Sequence, residues 1–449
     1  MNNKEKFYAD RDLRTIEVTG ALDFNKFPVH IEIDGRCASS AAGQVALLAL
    51  VNQVARVHRS ATISLPETEI PIVVNLPFSS KTVQTTLLTL MRNIDPYGNF
   101  NLSEKKPKNA ISLGIGEPKS VCDWYVGAES SIATLDKHPC VFDIKKRGSL
   151  RGAALAASLG AATILKMQFG SESVQRRVSA WNFAENEEAS PGPDDILPID
   201  VGSVLMVGAG AVGSALIYWL HCFGLGNGSW VILDRDFVAL HNTNRSLLFM
   251  PSDAGWTDSK PRSKADVCAE FLPNSKPIKN WYHEYAHNIK FDVVLALANE
   301  YGVRGSLANK NFNVLLHATT GSGWLSELHR HILGRDDCIQ CRMQEFESSP
   351  TFGCSTGKIK DEQNKKTSDA ALPFLSATSG LMLAVALEKL HRAELHLGRF
   401  NNWKFFFNSL YRMSQHTVNN CRDGCSTLLP PETRKQINSK TRWNSLDPG

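Results

Sequence analysis

Three glycines at the junction between an apolar run and a helix-forming run are spaced to bind a phosphate. Gly208, Gly210 and Gly213 follow the predicted strand Ser203–Val207 and open the predicted helix Ala211–Phe223. Glycines let the backbone turn tightly and approach a phosphate, while the helix N-terminus supplies N–H groups and the positive end of its dipole. The pattern predicts a nucleotide site but does not distinguish a dinucleotide from ATP. A tight strand–helix junction without a ligand is the alternative.

A carboxylate that follows the next predicted strand could complete such a site. Asp234 ends the strand Trp230–Leu233, where a carboxylate can accept hydrogen bonds from both ribose hydroxyls.

Four of the ten cysteines fall in two close pairs. Cys338 lies near Cys341, and Cys421 lies near Cys425. In a large chain with no predicted signal peptide the thiols should be reduced, so pairs at this spacing favour a metal over a disulfide. Free buried thiols are the alternative.

The elements that must position these residues alternate between strand and helix in both halves of the chain. The first half predicts strands over Val29–Ile33, Ala61–Leu65 and Ala110–Ile115, with helices over Ala41–Val57 and Leu150–Met167. The second half adds a helix over Ala265–Leu272 and a strand over Val293–Leu297 to those already given. This alternation predicts an α/β fold with two domains, each built on a parallel sheet. The first has no glycine-rich loop, since Asp34–Ser40 occupies the equivalent junction.

An acidic stretch rich in Pro and Gly separates the halves. We predict a first domain over 1–183, a linker over 184–199, a second domain over 200–428 and a polar tail over 429–449. The charged stretch Lys358–Asp369 predicts a mobile surface loop.

Composition excludes several classes of protein. The 449 residues are 43% hydrophobic and carry a formal charge of +4, which is small for a dedicated nucleic-acid or membrane-surface binder. The most apolar stretch, Ala153–Leu165, is shorter than the roughly 20 residues that cross a bilayer. With no apolar segment at the start, the expected location is the cytoplasm.

The second half resembles the ThiF/MoeB superfamily, which includes the ubiquitin-activating enzymes. The resemblance covers about residues 200–428 and rests on the segments Asp234–Phe249 and Lys264–Leu272. These enzymes use ATP to adenylate the C-terminal glycine of a small ubiquitin-fold protein. The resemblance implies that the three glycines hold ATP, Asp234 its ribose, and Asn242, Arg245 and Lys264 its phosphates. Fixed cations would stabilise the negative charge that builds up when a phosphate group reacts. For Arg245 or Lys264 alone, a solvated surface position is the alternative.

The magnesium site departs from the family pattern. The family places an aspartate five residues before an arginine; Arg304 matches the arginine, but Asn299 stands at the aspartate position with Glu300 beside it. An amide is a weaker Mg²⁺ ligand than a carboxylate. We expect Glu300 or Asp236 to replace it. The alternatives are that ATP itself holds the metal, or that adenylation is impaired.

The cysteines also match the family. The two close pairs resemble its structural zinc site, in which four thiolates leave no open position for catalysis. Cys354, in Gly353–Gly357, resembles the cysteine with which many ubiquitin-activating relatives take the acyl group as a thioester. A thiolate is a suitable nucleophile for an acyl adenylate. An inert cysteine is the alternative, and sulfur-carrier relatives do not always use this one.

The first domain resembles the inactive adenylation domain that eukaryotic ubiquitin-activating enzymes join to an active one as a pseudo-dimer. The segment Tyr8–Arg14 is similar to a family segment in which an arginine reaches the ATP phosphates of the partner site, and Arg11 would be that arginine. A solvated N-terminal arginine is the alternative. The internal pseudo-dimer removes the usual reason for homodimerisation.

The resemblance implies a ubiquitin-like protein as substrate and a conjugating enzyme as the next partner, with no nucleic acid and no membrane. By its size the chain is similar to compact activating enzymes of bacterial ubiquitin-like conjugation operons, several of which serve antiviral defence. Three alternatives stay open: a sulfur-carrier adenylyltransferase, a nucleotide-binding scaffold without activity, and a dehydrogenase. The dehydrogenase is disfavoured by Asn242, Arg245, Lys264 and the paired cysteines.

Overall fold

A computed structural model describes most of the chain. The described residues are 2–13, 27–66, 69–224, 226–256, 259–285, 290–298, 301–310, 312–321, 324–333, 335–342, 358–361, 366–369, 372–392, 400–407, 414–417, 421–425, 428 and 432–433.

The first domain is built on a sheet of seven strands. Their order across the sheet is β3-β2-β1-β4-β5-β6-β7, parallel from β3 to β5 and antiparallel from β5 to β7. The strands are β1 (Val29–Ile33), β2 (Ser60–Ser64), β3 (Asn99–Leu102), β4 (Ile111–Ile115), β5 (Trp124–Glu129), β6 (Ile132–Asp136) and β7 (Arg176–Ser179).

The second domain repeats this order in a sheet of eight strands. The order is β10-β9-β8-β11-β12-β13-β16-β17, parallel as far as β12 and antiparallel beyond it. These strands are β8 (Asp200–Val207), β9 (Asn227–Leu233), β10 (Ser275–Ile278), β11 (Val293–Ala296), β12 (Val314–Gly321), β13 (Leu325–Ile332), β16 (Phe400–Phe406) and β17 (Ser414–Thr417). Two further strands, β14 (Lys358–Asp361) and β15 (Lys366–Asp369), form a separate antiparallel pair.

Helices connect the strands and cover the sheets. They are α1 (Asn3–Arg11), α2 (Gly35–Ala38), α3 (Ala41–Val57), α4 (Val83–Ile94), α5 (Ser149–Gln168), α6 (Ala211–Phe223), α7 (Lys264–Ala269), α8 (Tyr301–Ala308), α9 (Ile339–Arg342) and α10 (Pro373–His391). Within the described residues, three short 3₁₀ helices lie at Asn186–Glu188, Leu240–Asn242 and Tyr282–Glu284.

The two domains share an apolar core along the helices that face each other. In the second domain α10 packs on α6, and across the interface it packs on α5 and α3 of the first domain. Nearly all residues of α3, α5 and α10 are buried. This fits their sequences, which are apolar around the whole helix rather than along one face. Within the described residues, α5 and α10 are long and apolar enough to cross a membrane, but 89% and 94% of their most apolar stretches are buried inside the protein. Their composition therefore fits helices of a protein core.

The predicted α/β fold with two Rossmann-like domains is confirmed. The predicted limits of β1, α3 and α6 match the structure, and the other predicted elements differ from it by one to three residues at an end. The prediction of a mobile surface loop over 358–369 is wrong for the described part, because β14 and β15 pair there. The predicted linker 184–199 lies between the residues of the two sheets, and Ser131 and Gly148 of the first domain donate backbone hydrogen bonds to it.

Candidate nucleotide site

A pocket lies at the carboxyl ends of the parallel strands in the second domain. Most of its lining comes from the residues that end or follow β8, β9, β10, β11 and β12. The strand order reverses between β8 and β11, since β9 lies on one side of β8 and the next crossover leads to the other side. Open α/β sheets bind ligands in the crevice formed at this point. Seven residues predicted for a nucleotide site line the pocket together: Gly208, Gly210, Asp234, Asp236, Asn242, Arg245 and Lys264.

The glycine-rich turn brings backbone close to the pocket. Gly208 has φ of 102°, and a Cβ added there would lie 2.5 Å from the backbone nitrogen of Ala298, so a larger residue is excluded. Gly210 is the N-cap of α6 and offers no side chain to its first N–H groups. These groups are among the donors that a helix leaves unpaired at its N-terminus, so they can bind an anion. Gly213 does not line the pocket; its missing Cβ lets α6 approach the carbonyl of Gly208.

Asp234 is held in place by two backbone donors. Its Oδ2 accepts a hydrogen bond of 2.7 Å from the N–H of Ala209, and its Oδ1 accepts one of 2.8 Å from the N–H of Asp236. Burial raises the pKa of Asp234 above its ordinary value, against the opposing effect of Lys264. The two bonds fix the carboxylate beside the glycine-rich turn, and a carboxylate oxygen has further lone pairs for ribose hydroxyls.

Two cations and an amide face the same pocket. The Nζ of Lys264 lies 2.8 Å from Oδ2 of Asp236, so the predicted phosphate contact and one candidate magnesium ligand form an ion pair. Arg245 is almost fully buried, and its guanidinium donates to the carbonyl of His241 at 2.6 Å. The Oδ1 of Asn242 accepts a hydrogen bond from the N–H of Ala239, which fixes the amide.

Several lining residues were not predicted from the sequence as nucleotide contacts. The guanidinium carbon of Arg235 lies 3.2 Å from the centroid of the Trp281 indole ring, and both residues line the pocket. Asn280 and Thr319 also line it. An aromatic plane next to an amide suits a nucleobase. The position of Trp281 could have been predicted from the sequence, because it lies shortly after β10 of the same sheet. It was missed because β10 itself was not predicted.

Four cysteine sulfurs cluster away from this pocket. The Sγ atoms of Cys338, Cys341, Cys421 and Cys425 all lie within 4.8 Å of one another. Those of Cys338 and Cys425 are 3.7 Å apart, which matches the edge of about 3.8 Å that a tetrahedral site with Zn–S bonds of ~2.3 Å requires. The four cysteines thus offer a zinc site between the segment after β13 and the segment after β17.

Arg11 does not line the pocket. Its side chain is fully buried in the first domain, where it donates to Asp12 at 2.7 Å and to Asp95 at 2.8 Å. Its helix α1 contacts the 3₁₀ helix Leu240–Asn242, whose last residue lines the pocket. Contact with ATP would require Arg11 to leave both carboxylates, and the role predicted for it stays a prediction.

Three predicted site residues lie outside the described part of the chain. They are Asn299, Glu300 and Cys354. Arg304 is the arginine from which the positions of Asn299 and Glu300 were matched to the family pattern. It lines the pocket and donates from Nε to the carbonyl of Ala298 at 2.8 Å.

Similar proteins cover different parts of the chain. The uncharacterized protein y4jF of Sinorhizobium fredii is 24% identical over 366 residues, which are 77% of this chain and 64% of that protein. The adenylyltransferase and sulfurtransferase MOCS3-1 of Zea mays is 35% identical over 101 residues, or 22% of this chain and 20% of that one. The catalytic subunit of the NEDD8-activating enzyme E1 of Caenorhabditis elegans is 33% identical over 82 residues, 18% of this chain and 17% of that one. The matches therefore span less than two thirds of each relative's length.

Among solved structures, MccB from E. coli, crystallised with AMPCPP and MccA, is 14% identical with a TM-score of 0.37, covering 51% of this chain and 67% of MccB. The model of the ThiF family matches residues 188–426, which is more than half of the chain and includes the whole nucleotide pocket and the cysteine cluster. The chain belongs to the ThiF family.

Proposed function

We propose that the chain uses ATP to adenylate the C-terminal glycine of a ubiquitin-like protein. The observation that carries the proposal is the convergence of Gly210, Asp234, Arg245 and Lys264 on one pocket at the strand-order reversal. Open helix N–H groups, a fixed carboxylate and two cations are the groups that phosphates and a ribose need.

The chemistry follows from the charges in the pocket. A carboxylate oxygen of the substrate glycine attacks the α-phosphorus of ATP, the new O–P bond forms, and the bond to the bridging oxygen breaks as pyrophosphate leaves. Arg245 and Lys264 stabilise the negative charge on the phosphates during this step. A magnesium ion on ATP would neutralise further charge, and Asp236 and Glu300 are the carboxylates that we propose for it.

The next step of the proposal is a thioester on Cys354. The thiolate attacks the glycyl carbonyl of the adenylate, a C–S bond forms, the bond to the phosphate oxygen breaks and AMP leaves. A conjugating enzyme would then take the acyl group. The similarity to the NEDD8-activating enzyme supports this direction. We also propose a role in antiviral defence, on the basis of the resemblance to activating enzymes of bacterial ubiquitin-like conjugation operons.

A non-reducing gel tests both steps. The chain is incubated with Mg·ATP and a ubiquitin-like protein ending in glycine, for which a product of a neighbouring gene is the natural choice. We expect an adduct that a thiol reagent removes and that Cys354→Ala prevents. Pyrophosphate release without an adduct would contradict the thioester and leave adenylation in place. ATP binding without pyrophosphate release would indicate the inactive scaffold.

A sulfur-carrier adenylyltransferase is the second candidate. The similarity to the maize adenylyltransferase and sulfurtransferase favours it. In that case the adenylate would be consumed by a sulfur donor to give a thiocarboxylate, and Cys354→Ala would retain the activity. The mass of the product protein's C-terminus distinguishes a thiocarboxylate from a conjugate.

The cysteine cluster and the first domain would have structural roles. Zinc on the four clustered cysteines would be structural, because all four sulfurs are ligands and no position is left for a substrate. The first domain would supply an interface rather than a second active site, so that one chain forms an internal pseudo-dimer and acts as a monomer. We place the protein in the cytoplasm, with neither nucleic acid nor membrane as a partner.

A further inference from the structure

A fully buried arginine of the first domain reaches into the second. Arg56 lies in the last turn of α3 and is 0% exposed. Its guanidinium donates to three backbone carbonyls of the second domain, those of Thr243, Leu247 and Phe249, the last two at 2.8 Å and 2.9 Å. Its Nε donates to Oδ1 of Asn52 at 2.7 Å. Among the described residues it forms no ion pair, so its partners are neutral oxygens.

The three accepting carbonyls belong to one segment, residues 242–249. This segment begins with Asn242 and contains Arg245, and both line the nucleotide pocket. From its own domain the segment is held by Ser376 in α10, whose Oγ donates to the carbonyl of Arg245 at 2.7 Å. Arg56 binds the segment from the opposite domain. The carbonyl of Arg245 is therefore fixed from its own domain, and the carbonyls on either side of it, those of Thr243 and Leu247, are fixed from the first domain.

A cation in this position is costly, which argues that the contact does more than fill space. Burial lowers the pKa of Arg56 to about 9, and the guanidinium remains protonated at neutral pH. An apolar side chain of similar length would avoid that desolvation, but it would remove the donors to the carbonyls of Thr243 and Phe249 and leave that of Leu247 with the amide of Asn52 at 3.2 Å. A planar fork of five N–H groups is the side chain best able to bind several carbonyls at once.

We propose that Arg56 is a positioning residue through which the first domain holds residues 242–249 in the conformation that directs Asn242 and Arg245 at the ATP phosphates. The inference rests on the proposed adenylation for its catalytic consequence. Its structural part, the restraint of the segment by Arg56, is independent of that function.

Hydrogen–deuterium exchange measures the restraint directly. In Arg56→Met we expect faster amide exchange across residues 242–249. The matched control is Lys166→Met: Lys166 of α5 also donates across the domain interface to a backbone carbonyl, that of Phe407, and is far in sequence from this segment. The control should leave exchange in residues 242–249 unchanged. Unchanged exchange in Arg56→Met, or the same increase in both variants, would overturn the restraint.

Kinetics measure the consequence. A misplacement of about 1 Å in a catalytic group can lower the rate about 100-fold, so we expect kcat for pyrophosphate release to fall by about that factor in Arg56→Met. The KM for ATP should change less, because the glycine-rich turn and Asp234 are untouched. Arg56→Lys, which keeps the charge but has fewer donors, should recover part of the rate and also serves if Arg56→Met does not fold.

The failures of the two proposals are distinguishable. A wild-type chain that binds ATP but releases no pyrophosphate would remove the proposed function, while the exchange data would still decide the restraint. A wild-type chain that is active, with an Arg56→Met variant equally active despite a loosened segment, would overturn the positioning role alone.

Discussion

The two domains share one strand order but treat the junction after the first strand differently. Asp34 follows β1 directly, whereas Gly208 follows β8. The Asp34 carboxylate accepts a hydrogen bond of 2.7 Å from the N–H of Arg36 and caps α2. A carboxylate at this point repels a phosphate, while a glycine lets the backbone approach one. At the same place in the fold, the first domain thus has a negative charge that repels a nucleotide, and the second domain has a glycine that lets a phosphate approach.

The following helices show which glycines serve packing and which serve a ligand. Ser40 caps α3, and its Oγ accepts a hydrogen bond of 3.0 Å from the N–H of Gly43. Gly210 caps α6 without a side chain. Three residues on, both helices keep a glycine: a Cβ at Gly43 would lie 2.0 Å from the carbonyl oxygen of Cys37, and one at Gly213 would lie 2.6 Å from that of Gly208. Both domains therefore keep the glycine that packing requires, Gly43 in the first and Gly213 in the second. At the cap position the second domain has Gly210, which leaves the first N–H groups of α6 without a side-chain acceptor.

Two side chains lie close to the equivalent point of the first domain. A Cβ on Gly116, which follows β4, would lie 2.6 Å from the Sγ of Cys37 and 3.1 Å from the Oδ2 of Asp34. In the second domain the equivalent space is the pocket. Within the described residues, this difference supports the proposal that the second domain, rather than the first, binds the nucleotide.

Metal removal should affect the second domain much more than the first, and this is the largest difference that we expect between them. Structural zinc contributes about 10–16 kcal/mol in zinc-finger peptides, and within the described residues the four-cysteine cluster belongs to the second domain. A chelator, or Cys421→Ser, should expose the amides around residues 335–342 and 421–425 to exchange while β1–β5 stay protected. Mass spectrometry under native conditions should find one zinc per chain. Unchanged exchange in metal-free protein would contradict a structural metal.

Arg11→Ala should destabilise the first domain. The side chain is fully buried between Asp12 and Asp95, and breaking a buried pair costs about 3–5 kcal/mol because unpaired charge is left behind. Denaturant unfolding measures the loss. Arg36→Ala is the control, since that side chain is 70% exposed. A stable Arg11→Ala chain with slow adenylation would instead support the role at the phosphates that the sequence predicts.

Arg245→Ala should lower pyrophosphate release about 100-fold, the effect of removing one donor to developing charge. Arg36→Ala again provides the matched control, because it removes an arginine from the corresponding edge of the first sheet and should leave the rate unchanged. Equal effects of both changes would mean that the domains do not differ in the proposed way.

Gly210→Ser transfers the cap of the first domain to the second. The site is open, with no atom within 4 Å of an added Cβ, and the backbone is extended, so serine fits. We expect a gain of about 0.3 kcal/mol in stability from the cap and about tenfold weaker ATP binding, because the serine oxygen competes for an N–H that would bind phosphate. Thermal unfolding and calorimetric titration measure the two effects. Stronger ATP binding would contradict an open helix end as the phosphate site.

Local sequence predicted what depends on local pattern. The limits of α3 and α6 were predictable because apolar runs end at clear signals, such as the left-handed Gly224 after α6. Gly208, Gly210 and Asp234 were predictable because they follow strands that meet at one edge of a sheet, whereas Asn242, Arg245 and Lys264 were assigned by the resemblance to the ThiF/MoeB superfamily. Arg56 was not, since its partner Thr243 is 187 residues away and nothing in one sequence pairs them. The pocket position of Trp281 depended in the same way on an unpredicted strand.

Exchange of labelled pyrophosphate into ATP is the most direct test of adenylation by this chain, because the exchange requires the reaction to run in both directions in the second-domain pocket. The chain is incubated with Mg·ATP, labelled pyrophosphate and a ubiquitin-like protein ending in glycine. We predict labelled ATP with the wild-type and Arg36→Ala chains, none when the terminal glycine is removed, and about 100-fold less with Arg245→Ala. A chain that binds ATP but gives no labelled ATP with any such partner would contradict the account.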